Sequence, residues 1–272
     1  AVSVTASLVN NNELAVSNVV GSNIFNLMVV VGVCSILTPI LVQKETIKRD
    51  IPFSMICAFL LLGLGILAVG DKSGMTLGHL DGMILLGFFA GYIVAMIQSA
   101  MKARAAGKNV EIEGIEELEE EIGILSWPKS ILFIVGGALA IAFGGDLTVD
   151  AASRIAIDLG MSQTLVGLTI VSIGTSLPEL VTSVVAARKN EVDMALGNVI
   201  GSNIFNILLV LGVAAAISPV KFLTDNIIDT VVLIAMSLVV LVFAWTSKMI
   251  DRREGATMLG MYAVYMAYIC IR

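Results

Sequence analysis

The string "SNVVGSNIFN" occupies residues 17–26, and nearly the same string, "GNVIGSNIFN", returns at residues 197–206. A shift of 180 positions aligns residues 1–40 with residues 181–220 without a gap, and 17 of these 40 positions are identical. A period this long is too large for the unit of a solenoid. The pattern therefore predicts a chain that is built from two related halves.

The composition indicates a protein that lies in a membrane. Of the 272 residues, 57% are hydrophobic and only 14% are charged, whereas about a quarter of the residues of a soluble domain are charged. The apolar residues come in long runs such as "ILLVLGVAAAIS" and "VVLIAMSLVVLVFAW", which are typical of helices that cross a bilayer. The sequence therefore predicts an all-α integral membrane protein that is surrounded by lipid.

The acidic balance of the chain comes mainly from one segment. The formal net charge is −6, and seven of the 22 acidic residues lie in "EIEGIEELEEE" at residues 111–121. The rest of the chain is close to neutral, so the charge gives no reason to expect a nucleic-acid partner. A charge run of this kind is usually solvated, which favours a linker between membrane segments.

Glycines, prolines and charged clusters divide the apolar sequence into eight candidate spans, each near the length that a bilayer requires. One of them ends at Gly144 and Gly145, before a predicted turn that begins near Asp146. Residues 1–9 resemble the tail of a further span, and the chain begins with Ala1, so we expect that its natural beginning is missing. The eight spans are residues 13–37, 51–70, 80–101, 129–145, 161–187, 194–217, 227–247 and 255–271.

The basic residues predict which side of the membrane each loop faces. If the spans alternate, 12 of the 16 lysines and arginines fall in or beside loops 38–50, 102–128, 186–193 and 248–254, and four fall on the other side. Cytoplasmic loops of membrane proteins carry an excess of lysine and arginine. We therefore predict a multi-pass protein of the cell membrane in which these loops, including linker 102–128, are cytoplasmic.

The two halves are predicted to lie in opposite orientations. The short loop between the paired segments of the first copy, residues 9–13, falls outside, whereas its counterpart at residues 187–193 falls inside. Repeats that are inverted relative to one another and meet at the middle of the membrane are typical of secondary transporters. The sequence therefore favours an inverted-repeat transporter.

The second copy carries a polar helix face at mid-membrane. Ser172, Thr175, Ser176 and Glu179 follow the i, i+3, i+4, i+7 spacing, so they share one face of a helix. An ionised glutamate within a span is costly unless it is paired, which makes it a functional candidate by default. Pro178 removes a backbone hydrogen bond and opens the helix. The resulting carbonyl, hydroxyl and carboxylate oxygens are the ligands that hard cations such as Ca²⁺ and Na⁺ prefer.

The repeated string supplies further oxygen ligands for such a site. Ser202 and Asn206 lie one helical turn apart, and Ser22 and Asn26 occupy the matching positions of the first copy. Two polar faces that enter the membrane from opposite directions would enclose one set of cations. A structural role is about equally plausible for any one of these side chains, because serine and asparagine often join neighbouring membrane helices.

Other residues of the repeated string are expected to shape the helices rather than to bind ions. Asn23 and Asn203 resemble structural residues that form bonds at helix ends. Gly197 and Gly201 are expected to let two helices approach closely, because small residues allow close backbone contact in membranes.

The motifs "GTSLPEL" at residues 174–180 and "GNVIGSNIFN" at residues 197–206 resemble those of the sodium/calcium exchanger family, within the calcium/cation antiporter superfamily. The resemblance covers essentially the whole chain and implies ten transmembrane helices in two inverted halves, of which about eight and a half are present. On this basis residues 1–101 are the first, incomplete membrane repeat, residues 102–128 the acidic cytosolic linker and residues 129–272 the second repeat.

The resemblance implies a secondary active antiporter that exchanges Ca²⁺ for Na⁺ by alternating access, with these ions as its partners, no cofactor and no enzyme activity. Glu179 is then one of two central ion-binding glutamates, and the other belongs two residues before Ala1. Thr175 and Ser176 supply hydroxyl or carbonyl oxygens, and Ser172 supplies a carbonyl oxygen. The remaining ligands that the family motifs imply are Ser202, Asn206, Ser22 and Asn26.

Two departures from the family pattern bear on activity and on the coupling ion. The chain lacks half of the ion site at its beginning, so we expect the polypeptide as written not to transport and its full-length parent to do so. Some family members carry aspartate where this chain has Asn206, and the amide lowers the negative charge of the site. Participation of K⁺ and competition by protons therefore stay open, as do stoichiometry, affinity, flux direction and oligomeric state.

Other functions compete with Na⁺/Ca²⁺ exchange. A Ca²⁺/H⁺ antiporter of the same superfamily is the first alternative, and a cation channel is the second. A membrane enzyme has no support in the sequence, because no Ser–His, Asp–Asp or HExxH arrangement falls inside a span.

Overall fold

The structure is a computed structural model that describes residues 13–67, 75–105, 127–160, 169–170 and 172–271. The described part is built almost entirely of helices, as the composition predicts. The helices are α1 (Glu13–Phe25, the π-helical turn Asn26–Val30 and Val31–Leu37), α2 (the π-helical turn Thr46–Asp50 and Ile51–Leu67), α3 (His79–Ala105), α4 (Trp127–Asp158), α5 (Ser172–Thr175), α6 (Leu177–Arg188), α7 (Val192–Phe205, the π-helical turn Asn206–Leu211 and Gly212–Ile217), α8 (Thr224–Ser247) and α9 (Arg252–Ile271). The short strands are β1 (Ile40–Leu41), β2 (Thr76–Leu77), β3 (Val220–Lys221) and β4 (Met249–Ile250).

Six of the described helices are long and apolar enough to cross a bilayer. Each coincides, to within a few residues at its ends, with a span that the sequence predicts, so these six predictions are confirmed. Charged residues and prolines mark the ends of apolar runs reliably enough to locate such spans. The six are Ala15–Leu37, Thr46–Leu67, His79–Lys102, Val192–Ile217, Thr224–Ser247 and Arg252–Ile271.

Helix α4 continues past the point where the sequence pattern suggests an end. The predicted span 129–145 lies inside a helix of 32 residues, and the turn expected near Asp146 is wrong. Glycine costs a helix only about 1 kcal/mol relative to alanine, so Gly144 and Gly145 do not stop it. The chain leaves the helix at Gly160, whose φ of 91° is a left-handed conformation that glycine adopts readily.

The predicted span 161–187 contains an interrupted helix. Residues 161–168 and 171 lie outside the described residues, and the rest forms α5 and α6. The two helices are separated by Ser176, which has a φ of −102° and a ψ of 3°. Pro178 occupies the first turn of α6, where its missing N–H group costs nothing. The opening that the proline predicts therefore falls two residues before it.

Helices α1 and α7 cross at the centre of the molecule in opposite directions. In each helix a π-helical turn begins at the asparagine that ends the repeated string, Asn26 in α1 and Asn206 in α7. Asn26 contacts Asn203, and Asn206 contacts Asn23, as antiparallel helices require. The inverted relation of the two halves is therefore seen where the two copies of the string meet.

Two antiparallel pairs of short strands, here called ribbons, connect the two halves of the chain in the loops between helices. β1 pairs with β4, and β2 pairs with β3, so each ribbon takes one strand from each half. The first ribbon joins two loops that are predicted to be cytoplasmic, and the second joins two loops that are predicted to be extracellular. The pairing thus agrees with the alternation of spans along the chain.

Glycines allow close helix contacts at two equivalent places. A Cβ atom at Gly82 in α3 would overlap the backbone of α7 at Gly212, and one at Gly255 in α9 would overlap the backbone of α1 at Gly32. Gly32 and Gly212 are related by the 180-residue shift. Each half therefore packs its last helix against the central helix of the other half.

The glycines of the repeated string do not serve the role that the sequence suggests. A Cβ atom at Gly197 or Gly201 would meet no other atom within 4 Å in the described part of the chain. The close helix contact that is expected of these two glycines is therefore not seen among the described residues. The crossing of α1 and α7 is made instead by asparagines, whose amide groups reach across to the other backbone.

Candidate ion-binding site

Four asparagines form a network where α1 and α7 cross. The amide nitrogens of Asn23 and Asn203 each donate to the backbone carbonyl oxygen of the other residue, both at 3.1 Å. The amide nitrogen of Asn26 donates to Oδ1 of Asn203, and that of Asn206 donates to Oδ1 of Asn23, also at 3.1 Å. Asn23 and Asn203 thus have a structural role, but they join two helices at mid-length rather than at their ends.

The network consumes the amide donor of Asn26 and leaves its carbonyl oxygen available. Oδ1 of Asn26 is buried and has no hydrogen-bond partner among the described residues. An unpartnered polar atom in the interior costs about 1–3 kcal/mol, so this oxygen is expected to bind something that the described residues do not supply. A cation or a water molecule can fill that role.

Glu179 approaches α7 from the first turn of α6. Its Oε1 accepts a hydrogen bond from Ser202 Oγ at 3.4 Å. Its Oε2 is buried and has no partner among the described residues. Helix α6 also packs against the π-helical turn of α1, which begins at Asn26. The carboxylate therefore reaches α7 from a helix that also contacts α1, and it offers a second oxygen without a partner among the described residues.

Thr175 connects the interrupted helix to α1. Its hydroxyl oxygen lies 2.9 Å from that of Ser22 and 3.4 Å from Oδ1 of Asn18, to which it donates. Thr175 ends α5, whereas Glu179 lies in α6. Because of the interruption at Ser176, the end of α5 contacts α1 in the first half of the chain. The beginning of α6 contacts α7 in the second half.

Asn18 and Asn198 belong to the same polar faces, although the sequence analysis does not select them. Asn198 donates to Thr182 Oγ1 at 3.2 Å and to Ser183 Oγ at 3.1 Å. Asn18 and Asn198 each lie four residues before the serine of their copy, so each central helix carries a stripe of asparagine, serine and asparagine. That i, i+4, i+8 spacing is the signal that identifies them.

The structure describes the surroundings of most of the predicted site residues. Ser176 is almost fully buried at the interruption between α5 and α6. Ser172 begins α5, and the position of its side chain lies outside the described part of the chain. The other six predicted residues take part in the contacts given above: Ser22, Asn26, Thr175, Glu179, Ser202 and Asn206.

The chemistry of this cluster suits a hard cation. The groups that face one another are hydroxyl, amide carbonyl and carboxylate oxygens, while the amide nitrogens of Asn26 and Asn206 are turned into the asparagine network. Ca²⁺ takes six to eight oxygen ligands, whereas transition metals favour nitrogen and sulfur. The cluster can therefore bind a cation of the Na⁺ or Ca²⁺ type.

The sequence profile of the family described as sodium/calcium exchanger protein matches residues 1–98 and 129–271, which is most of the chain. The chain belongs to this family. Exchanger proteins are transporters rather than enzymes. The segment between the two matched parts contains the acidic stretch 111–121, so the residues that match the family lie on either side of it.

Named relatives agree with membership of the exchanger family. The chain is 40% identical over 222 residues to the putative antiporter CaxA of Alkalimonas amylolytica, a match that spans 80% of this chain and 65% of that protein. It is 30% identical to the inner membrane protein YrbG of Escherichia coli, over 98% of this chain and 80% of the relative. It is 32% identical to the sodium/calcium exchanger MaX1 of Methanosarcina acetivorans, over 98% and 83% respectively.

Solved structures of the sodium-calcium exchanger NCX_Mj have the same fold. The structure soaked without Na⁺ and Ca²⁺ superposes with a TM-score of 0.76 at 29% identity, covering 98% of this chain and 80% of that one. The structure soaked with both Na⁺ and Ca²⁺ gives 0.76 at 31% identity, covering 97% and 79%. The inverted-repeat transporter fold is therefore confirmed for this chain.

Proposed function

We propose that this chain forms the ion-binding membrane part of an antiporter that exchanges Ca²⁺ for Na⁺. The observation that carries the proposal is a pair of buried oxygens, Asn26 Oδ1 and Glu179 Oε2, that have no hydrogen-bond partner in the part of the chain that the structure describes. Both atoms are acceptors, so a bound cation would satisfy both. The names of MaX1 and NCX_Mj, which are sodium/calcium exchangers, support the choice of Ca²⁺ and Na⁺.

Each predicted ligand has a separate part in this proposal. Glu179 supplies negative charge, and Ser202 orients its Oε1. Thr175 and Ser22 offer hydroxyl oxygens from the two halves. The further ligands are the amide oxygens of Asn26 and Asn206, a hydroxyl or carbonyl oxygen of Ser176 and the carbonyl oxygen of Ser172. The transported ions bind directly to these oxygens, without a cofactor.

The charge of the site favours exchange over leak. An empty site leaves the Glu179 carboxylate unpaired in a low dielectric, so a change of access is favourable only when a cation is bound. Inverted halves allow alternating access, because exchanging their conformations turns an outward-open site into an inward-open one. Helix α4 is placed to follow this change, since Val149 packs so closely on Gly174, next to Thr175, that no side chain fits there.

The proposal extends to the layout of the chain in the cell. Residues 1–101 and 129–272 form the two membrane repeats, and residues 102–128 form a cytosolic linker. The excess of lysine and arginine in four loops supports this orientation in the cell membrane.

Uptake of Ca²⁺ into vesicles that contain the intact transporter tests the proposal, with the Na⁺ gradient and the pH gradient imposed separately. An outward Na⁺ gradient is expected to drive uptake, and a pH gradient alone is not. Glu179→Gln keeps the shape of the side chain but removes its charge, so uptake is expected to fall to background. The matched control is Glu191→Gln, an exposed carboxylate at the start of α7, which is expected to leave uptake unchanged.

The same assay distinguishes the alternatives. Uptake driven by the pH gradient alone would identify a Ca²⁺/H⁺ antiporter, and a requirement for K⁺ on the Ca²⁺ side would add K⁺ to the exchanged ions. A conductance that needs no counter-ion gradient and does not saturate would identify a channel. Undiminished uptake by the Glu179→Gln variant would refute the role given to this carboxylate.

A further inference from the structure

A basic cleft lies between the beginning of α2 and the end of α8, on the side that the lysine and arginine bias assigns to the cytoplasm. Its volume is about 280 Å³, and five residues line it: Lys44, Ile47, Lys48, Trp245 and Lys248. Three of the five lining side chains are cationic, and none is acidic. The cleft shares no residue with the ion-binding site, so the exchange of cations does not account for it.

The three lysines come together through the fold rather than through the local sequence. Lys44 lies just before α2, and Lys48 lies in its first turn. Lys248 follows α8, far along the chain, and its carbonyl oxygen accepts a hydrogen bond from the backbone N–H of Val42 at 2.9 Å. The ribbon of β1 and β4 therefore fixes the backbone of Lys248 beside the start of α2.

Lys248 stands at a position where glycine is usual. It ends α8 with a φ of 53° and a ψ of 19°, which is the left-handed conformation that glycine favours at helix ends. A lysine there complements the helix dipole, but that interaction requires neither Lys44 nor Lys48. The chain thus keeps a positive charge at a backbone position that favours a residue without a side chain.

Among the described residues, no carboxylate forms an ion pair with the lysines of the cleft. The one salt bridge among the described residues joins Arg49 to Asp50. The nearby carboxylate of Asp251 accepts hydrogen bonds from the backbone N–H groups of Arg253 and Glu254 instead. An anion from outside the chain is therefore the natural partner of the cleft.

Trp245 indicates the depth of the cleft in the bilayer. Its side chain is 64% exposed at the rim of the cleft, and tryptophan is enriched where lipid headgroups meet the hydrocarbon region. Exposed apolar side chains continue along α2 and α8, among them Phe59 and Val242. A molecule with a phosphate at the level of Trp245 and hydrocarbon below it matches both parts of this surface.

We propose that this cleft binds the headgroup phosphate of an anionic phospholipid of the cytoplasmic leaflet. Lys44, Lys48 and Lys248 surround the phosphate, and Trp245 packs at the level of the glycerol backbone. Anionic lipids concentrate in that leaflet and attract basic groups close to the membrane. Because the cleft joins the first half to the second, a bound lipid stabilises the junction that β1 and β4 form.

Thermal unfolding of the full chain in neutral detergent tests the proposal, with phosphatidylglycerol, phosphatidylcholine of the same acyl chains or inorganic phosphate added. Phosphatidylglycerol is expected to raise Tm saturably, whereas the other two are not. Each lysine near an anionic surface increases the affinity for it about fivefold. Lys44→Gln, Lys48→Gln and Lys248→Gln together are therefore expected to lower the apparent affinity for phosphatidylglycerol about a hundredfold. The control variant, Lys102→Gln, Lys129→Gln and Lys189→Gln, changes the same charge on the same side and leaves the affinity unchanged.

Lys248→Gly separates lipid binding from folding. Glycine relieves the left-handed backbone, so Tm without lipid is expected to be equal or higher, while the affinity for phosphatidylglycerol falls about fivefold. A Tm increase with phosphatidylcholine that equals the one with phosphatidylglycerol would overturn the proposal. The same holds if the control variant loses as much affinity as the cleft variant, or if inorganic phosphate alone gives the full increase, since the ligand would then be a soluble anion.

Discussion

The choice of asparagine at positions 26 and 206 combines two roles in one side chain. The amide nitrogen of each residue joins α1 to α7, and in the proposed site the amide oxygen binds the cation. Aspartate offers a stronger cation ligand but has no donor for the other helix. With asparagine rather than aspartate, the site therefore has less negative charge, but the two halves are joined by hydrogen bonds where they cross.

Asn206→Asp is expected to make the stability of the protein depend on Ca²⁺. Without a cation, the new carboxylate faces Oδ1 of Asn23, acceptor against acceptor, and the loss of the hydrogen bond costs about 1–3 kcal/mol. Ca²⁺ at the site removes the repulsion and gains a carboxylate ligand. Thermal unfolding with and without Ca²⁺ measures the difference, which should exceed that of the unmodified chain.

Asn198→Asp is the matched control for this change, since it lies on the same helix. Its neighbours are the hydroxyls of Thr182 and Ser183, which can rotate to donate to a carboxylate. We expect its stability to be nearly independent of Ca²⁺. An equal response of both variants to Ca²⁺ would mean that added charge alone matters and that the network at Asn23 does not.

The sequence locates the polar groups of the site but not their partners. Glu179, Ser202 and Asn206 are recognisable because a carboxylate, a hydroxyl and an amide recur at helical spacing in an apolar segment. Whether an asparagine binds an ion or another helix depends on which backbone lies opposite. The backbone that lies opposite is set by the crossing of α1 and α7, which brings together residues about 180 positions apart in the sequence.

At the scale of helices, the structural effect of a glycine differs from one position to another. Gly144 and Gly145 lie within α4 without ending it, whereas Gly82 and Gly255 permit backbone contacts that no other residue allows. Composition cannot separate these cases, because the difference lies in what faces the glycine. For this reason the sequence pattern predicts an end of α4 that is wrong, and it predicts close packing at Gly197 and Gly201 that is not seen among the described residues.

Gly82→Ala and Gly255→Ala are each expected to destabilise the protein. A Cβ atom at either position overlaps the backbone of a central helix, which cannot move aside as a side chain can. Overpacking of this kind costs about 1–3 kcal/mol or more. Thermal unfolding in detergent measures the loss for each variant.

Gly87→Ala and Gly260→Ala provide controls one and a half turns further along the same two helices. A Cβ atom at Gly87 or Gly260 meets no atom within 4 Å in the described residues. Alanine is expected to leave Tm unchanged or to raise it, because it favours the helix by about 1 kcal/mol over glycine. Equal losses at the contacting and non-contacting positions would contradict the packing described for α3 and α9.

At the scale of the whole molecule, the hydrophobic spans and the repeat are largely readable from the sequence. Bilayer thickness sets the length of an apolar run, and charge bias sets its orientation, so both are local properties. The pairing of β1 with β4 and of β2 with β3 is not readable in this way. Strands of two residues carry too little pattern, and the partner of each lies more than 140 residues away along the chain.

Cysteine labelling is expected to confirm the orientation of the ribbons. In a Cys270→Ser background, Lys221→Cys lies in β3 on the predicted outer side, and Lys189→Cys follows α6 on the predicted inner side. A membrane-impermeant maleimide should label the first variant on intact cells and the second only after the membrane is opened. The buried Cys34 and Cys57 should stay unlabelled. Labelling in the reverse order would invert the proposed topology.

The two ribbons also constrain how such a chain can be made. Strands β1 and β2 are synthesised early, yet their partners β3 and β4 lie near the other end of the chain. During translation the first half therefore carries two open backbone edges, which the predicted orientation places at opposite surfaces of the bilayer. A product that ends before Met249 lacks β4, so the backbone groups of β1 that pair with it stay open.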